Sequence, residues 1–210
     1  MGHAGAAAAA VRYLRSAPAP GPLEALPRPE LRCVRADERA PVDPAEFRRV
    51  LGNFATGVTV VTAPAAEGEP SPAGFACQSF SSLSLDPPLV CFMVGRTSAT
   101  WPRIARAGVF CVNVLGSGQG ELCRAFAVSG ADKFAGVAYD TAPVSGAPRL
   151  TGAAAWIDCA IHAVHTGGDH LIVVGRVNAL GAADPADGPL LFHRGRFTGL
   201  GADGQDMSGR

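Results

Sequence analysis

The 210-residue sequence predicts a mainly β fold, a closed or split antiparallel barrel with a few short helices. Three observations predict it. Short runs rich in β-branched residues recur at 58–62, 89–94 and 109–115. A long hairpin follows, with strands over 155–165 and 170–180 around the turn Thr166-Gly167-Gly168-Asp169. Between the runs there is no regular strand–helix alternation, which a parallel sheet would require.

In chain order, residues 1–40 carry an alanine run, prolines and scattered arginines without sustained periodicity. They read as a disordered N-terminal tail, and the weakly apolar 4–11 segment has no preceding basic residue to make it a signal peptide. The folded domain is expected over 41–200, with 201–210 a flexible C-terminal tail. Order begins at Asp43-Pro44-Ala45-Glu46, where Asp43 can cap, Pro44 suits the first helical position and Glu46 can complete a capping box. Phe47, Val50, Leu51 and Phe54 follow at helical spacing, so a helix of about three turns is expected to bury that face. Two further short helices are expected, one from Thr100-Trp101-Pro102 and one over 117–126. A last short pair, 190–193 and 196–198, turns at Arg194-Gly195.

Composition narrows the function. A hydrophobic content of 48% supports one sizeable core, and 18 basic residues balance 18 acidic ones. Neither nucleic acid nor an anionic membrane is therefore indicated as a partner, and no apolar run is long enough to span a bilayer. The expected location is cytoplasmic. None of the six cysteines forms a C-x-x-C pair, which argues against a zinc knuckle or dithiol site. Cys91, Cys111 and Cys159 lie in apolar runs and read as small core hydrophobes. Gly116-Ser117-Gly118 resembles the start of a dinucleotide-binding turn, but Glu121 stands where the third glycine belongs. His162 and His165, three apart on a strand, face opposite sides and cannot chelate one metal, so no metal site is expected; His162 reads as a packed or rim histidine. His170 opens a strand just after a Gly-Gly-Asp turn, where a side chain can project over a pocket mouth.

The stretch AGFACQSFSSLSLDPP at 73–88 carries the most information. A short apolar piece runs into Gln78, Ser79, Ser81, Ser82 and Ser84, interrupted by Phe80 and Leu83 and stopped by Asp86-Pro87-Pro88. Small polar side chains beside approachable backbone N–H groups suit a flat, polar-edged ligand such as an isoalloxazine ring. A serine-rich loop closed by an Asp-Pro turn is the competing explanation.

In this order, FRRVLGNFATGVTVVT at 47–62, GFACQSFSSLSLDPPLV at 74–90, FCVNVL at 110–115, DKF at 132–134, GGDH at 167–170 and PLLFHRGRF at 189–197 resemble the flavin reductase family. That family is built on the FMN-binding split barrel, a split antiparallel β-barrel of Greek-key type, and supplies the reductase component of two-component flavin-dependent monooxygenases. The commoner family form has Thr and Asn where this chain has Cys77 and Gln78. The resemblance implies an NAD(P)H-dependent flavin reductase that hands free reduced flavin, FAD or FMN, to a separate monooxygenase, with NADH or NADPH as hydride source and a homodimeric assembly. Ala76, Cys77, Gln78, Ser79 and Phe80 would line the isoalloxazine, largely through backbone N–H groups. Ser98 and Thr100 would hold the ribityl phosphate, with Phe126, Lys133 and Phe134 bordering the same groove. His170, His193 and Arg194 would sit where the nicotinamide nucleotide enters. Helix capping is the alternative for Ser98 and Thr100, and a solvated surface charge the alternative for Lys133, the only lysine. No catalytic side chain is expected, because hydride passes between nicotinamide and flavin held about 3–3.5 Å apart. A non-catalytic flavin-binding or electron-carrying barrel is the rival function. A pyridoxamine-phosphate-oxidase-like enzyme would call for more basic phosphate ligands than the chain shows.

Overall fold

The computed structural model describes residues 42–130, 132–183 and 188–200, so the tails expected at 1–40 and 201–210 lie outside the described residues. Seven strands form one sheet: β2 (Thr59–Ala63), β3 (Ala73–Cys77), β4 (Ser81–Leu85), β5 (Pro88–Gly95), β6 (Val109–Val114), β9 (Ala155–Gly167) and β10 (His170–Ala182). Their order is β3-β2-β6-β9-β10-β5-β4, and every pairing is antiparallel. β1 (Thr56–Gly57), β11 (Leu191–His193) and β12 (Arg196–Thr198) make a three-stranded sheet, and β7 (Tyr139–Thr141) pairs with β8 (Pro148–Leu150).

Period-two burial explains why the large sheet rolls up. Val61 and Ala63 on β2, Val90, Phe92 and Val94 on β5, and Phe110 and Val112 on β6 all fall in one buried cluster with Val173 of β10. Strands from both ends of the sheet thus share one interior, and Phe75 of β3 packs on Phe92 of β5 with ring centroids 5.9 Å apart. Gly175 of β10 permits this closure, since a Cβ there would stand 2.3 Å from the Phe110 ring. The result is a split antiparallel barrel. In the connection from β3 to β4, the Ser79 hydroxyl donates to the Met93 carbonyl of β5 and accepts from the Met93 amide, both at 2.9 Å. A side chain there does what a strand pair does elsewhere.

α2 (Trp101–Ala107) closes one end of the barrel through Ile104, while α3 (Gly120–Ala127) covers the outside. Phe126 and Cys123 of α3 pack with Val58, Val60, Leu115, Leu150 and Leu190 in a second core. β2 and β6 are therefore buried on both faces, and their few polar side chains, Thr59, Thr62 and Asn113, are hydrogen-bonded there. Each fully buried Phe or Val side chain contributes about 1.5–3 kcal/mol. Asn113 stitches the layers: its Nδ2 donates to the Val60 carbonyl at 3.2 Å, and its Oδ1 accepts from the Leu150 amide at 2.8 Å.

Three sequence expectations are corrected. The first helix, α1 (Pro44–Leu51), is shorter than three turns, and Phe47, Val50, Leu51 and Phe54 remain 50–77% exposed. No element among the described residues packs over that face. Asp43 does cap it, accepting from the Ala45 and Glu46 amides at 2.8 and 3.0 Å, but the Glu46 carboxylate turns to Arg49 and leaves the capping box half formed. The serine cluster at 81–85 is an edge strand, β4, paired with β5 through a bulge between Ser82 and Ser84. The β7–β8 hairpin had no apolar alternation to announce it; Arg149 holds it by bonding Asp140 at 2.6 Å and lying over the Trp156 ring.

Candidate functional site

β3 is an edge strand, so one side of its backbone pairs with β2 and the other pairs with no strand. A cleft opens at each end of it. The smaller, of about 290 Å³, is lined by Gly74, Thr100, Arg103, Asp132, Lys133 and Phe134 among others. Gly74 is needed there, because a Cβ would lie 2.7 Å from the Phe126 ring. Phe134 then stacks edge-on against Phe126, with centroids 5.1 Å apart.

Lys133 stands between these groups. Its ammonium donates to the Gly74 carbonyl on the β3 edge at 3.2 Å and to the Phe126 carbonyl in the last turn of α3 at 3.0 Å. Partial burial pushes its pKa below the ordinary lysine value. Neither carbonyl cancels its charge, and among the described residues no ion pair joins it to a carboxylate. It is not the freely solvated charge that was the alternative. Arg103 differs: its Nε lies 3.0 Å from the Glu69 carboxylate, which it shares with Arg106, and its Nη2 donates to the Ser71 carbonyl at 2.6 Å, so its charge is partly offset. Ser98 does not line the cleft; its hydroxyl accepts from the Trp101 amide at 3.2 Å, the capping role. Thr100 makes no side-chain cap bond and does line the cleft.

The larger cleft, of about 1370 Å³, lies between α1, Gln78, the β9–β10 turn and the β11–β12 turn. His170 and Arg194 face it together with Gln78, Asp169, Asn53 and Phe192. The His170 Nδ1 is 2.8 Å from the Asp169 carboxylate, and this contact holds the Asp169 pKa below the usual carboxylate value. Asp169 thereby orients the ring and leaves its Nε2 for other partners. Arg194 occupies the first position of the β11–β12 turn with φ 49°, where glycine or asparagine is usual.

The remaining expected site residues are placed otherwise. Phe126 is fully buried beneath Gly74 and borders no groove, so that expectation is corrected. His193 is also corrected: successive side chains alternate on β11, and the cleft takes its neighbours Phe192 and Arg194 instead. Cys77 points into the barrel core and is 5% exposed, and burial raises its thiol pKa. Ala76 and Phe80 pack their side chains on the two cores. With the Ser79 hydroxyl committed to Met93, only Gln78 of the 76–80 segment offers a free side chain to a cleft. Sequence reasoning missed two residues. Arg103 gave no signal, and Asn53 was legible only as a polar residue inside an apolar helix end.

Residues 51–201 match the family model described as the flavin reductase like domain. The chain belongs to this family. Among its relatives, the flavin-dependent monooxygenase reductase subunit HsaB of Rhodococcus jostii is 48% identical over 162 residues, covering 77% of this chain and 80% of that protein. A flavin reductase of Pseudomonas putida is 47% identical over 164 residues, with coverages of 78% and 94%. Among solved structures, the Streptomyces globisporus NADH:FAD oxidoreductase SgcE6, in complex with NAD and FAD fragments, superposes with a TM-score of 0.72. It is 40% identical and covers 80% of this chain and 99% of that one. The family fold is thus the split barrel seen here, and no helix among the described residues is long and apolar enough to cross a membrane.

Proposed function

We propose that this chain is an NAD(P)H:flavin oxidoreductase that reduces free flavin, most suitably FAD with NADH, for a separate flavin-dependent monooxygenase in the cytoplasm. The observation that carries the reading is the free edge of β3 joining two clefts, one at Gly74 and one at Gln78. Four residues of strand span about 13 Å, the scale of a flavin ring with its ribityl chain. The edge amide of Ala76, on the same side of β3 as the Gly74 carbonyl that Lys133 bonds, can hydrogen-bond the polar rim of the ring together with the Gln78 side-chain amide. Lys133 and Thr100 provide a cation and a hydroxyl for a phosphate in the smaller cleft.

When both are bound, the nicotinamide supplies a hydride and the flavin accepts it. The chain's own work is positioning and electrostatics. Backbone donors fixed by the β2–β3 pairing are preorganised for charge that develops on the ring edge, so they need no reorganisation during the reaction. His170, steadied by Asp169, offers Nε2 to a carboxamide in the larger cleft. Gln78 and His170 both face that cleft, which brings the second substrate against the ring. The absence of an acid–base dyad from the proposal follows from this division of labour.

The same proposal assigns the reductase domain to residues 41–200 and a homodimer to the assembly. The exposed apolar side chains of Phe47, Val50 and Leu51 on α1, with Phe54 just after it, support the dimer, being more than a monomer usually leaves open in one short segment. Light scattering of the purified protein tests it. For the activity, the oxidation of NADH is followed against added free flavin; a rate that saturates with flavin is expected, and a rate independent of flavin overturns the proposal.

A further inference from the structure

Arg194 is the only non-glycine among the described residues with a positive φ. A large side chain in that backbone region is disfavoured, and such a residue persists only where its surroundings hold it. Here they do. The Arg194 amide donates to the Gly52 carbonyl at 2.9 Å, fixing the β11–β12 turn against the end of α1. Its guanidinium then places two donors on one atom, the Asn53 Oδ1, through Nε at 2.8 Å and Nη2 at 2.5 Å. Asn53 is itself immobilised, because its Nδ2 donates to the Arg49 and Val50 carbonyls at 3.0 Å each. One amide side chain therefore ties the last turn of α1 to the arginine that faces the larger cleft.

The chemistry of the clamp matters as much as its geometry. A carboxylate at position 53 would hold the guanidinium equally well but would cancel its charge. The neutral amide holds it and leaves the charge intact, with the two Nη1 protons and one Nη2 proton unclaimed by Asn53. Among the described residues no carboxylate pairs with Arg194. Such a fixed, uncompensated fork suits a phosphate oxygen pair. We propose that Asn53 is a positioning residue that presets Arg194 as the anchor for a phosphate group of the nicotinamide dinucleotide. The inference rests on the larger cleft being the dinucleotide site.

Three variants of the full chain test it: Arg194→Gly, Asn53→Ala and the double substitution. For each, the Michaelis constant for NADH, kcat, flavin affinity, melting temperature and the dependence of the NADH constant on KCl are measured. Arg194→Gly accepts the turn geometry and should fold. It should raise the NADH constant about 10- to 100-fold, the loss of one charged contact, and flatten its salt dependence. Asn53→Ala should raise the NADH constant about 5- to 10-fold, with smaller changes in kcat and flavin affinity. The double variant should be no worse than Arg194→Gly alone, because Asn53 acts only through Arg194. An unchanged NADH constant in Arg194→Gly refutes the cleft assignment and the inference with it. A raised constant in Arg194→Gly beside an unchanged one in Asn53→Ala, or additive effects in the double variant, refutes the positioning role alone. Should Asn53→Ala fail to fold, Asn53→Gln, whose longer amide cannot keep both sets of bonds, takes its place under the same criteria.

Discussion

Ser79 is the residue where stability and site construction meet. Its hydroxyl makes two bonds of 2.9 Å to the Met93 backbone, tying the β3–β4 connection to β5. Ser79→Ala removes both and leaves one amide and one carbonyl without a protein partner. A buried group so orphaned costs about 1–3 kcal/mol. Met93 is 41% exposed, so water recovers part of the loss, and about 1–2 kcal/mol remains. For a domain of this size that lowers the melting temperature by about 2–8 °C. Ser79→Thr keeps the hydroxyl and should recover most of the loss. Thermal unfolding of the three proteins at neutral pH measures the effect, and the flavin Michaelis constant of Ser79→Ala should change little, since the hydroxyl points at Met93. Ser79→Leu, which loses both bonds and is too large for the space beside Met93, should lower the melting temperature further. A melting temperature for Ser79→Ala within 1 °C of wild type would refute the idea that this side chain ties the connection to β5.

Lys133→Met removes the smaller cleft's uncompensated charge and the two bonds to Gly74 and Phe126; flavin affinity, read by fluorescence quenching, should fall about 10- to 100-fold, and an unchanged affinity would remove the cleft from the flavin site. His170→Ala should raise the Michaelis constant for NADH while flavin affinity and melting temperature stay near wild type, whereas a purely structural histidine would lower the melting temperature and leave NADH kinetics alone. Alkaline pH should unfold the protein. Burial raises the Cys111 and Cys159 thiols from 9.0 to about 12, so the folded state holds protons that the unfolded state releases. Stability is then full below pH 9 and falls between pH 9 and 12, by about 1.4 kcal/mol per pH unit for each thiol. The lowered Lys133 pKa acts in the opposite sense, favouring the folded state as pH rises, but it is one partly exposed group against two deeply buried ones. Urea titrations at pH 8, 9.5 and 10.5 should show the loss, and Cys111→Ala/Cys159→Ala should blunt it.

The large sheet was legible because β2, β5 and β6 are apolar on one or both faces and turn residues punctuate them. The β9–β10 hairpin was legible because Gly167 and Gly168 announce its turn. β4 was hidden because its serines alternate nothing: an edge strand with both faces exposed needs no hydrophobic period. The α1 face was misjudged for the opposite reason. Helical spacing of Phe47, Val50, Leu51 and Phe54 reports that a face is apolar, but not what covers it. In the site, the family resemblance grouped Ser98, Thr100, Lys133 and Phe134 into one groove, and all but Ser98 line one cleft. Phe126 was grouped with them by the family resemblance, yet its position on the inner face of α3 sends it to the core. The Asn53–Arg194 bond joins residues 141 apart, a separation over which local pattern carries no information.

Turnover of free flavin by the chain is tested stoichiometrically. Under anaerobic conditions, excess NADH is mixed with about a hundred equivalents of oxidised FAD per protein chain, and the loss of oxidised-flavin absorbance is followed. A reductase bleaches all of the flavin at a rate proportional to protein. Bleaching that stops after about one equivalent per chain would mark a flavin carrier and overturn the proposed reductase activity.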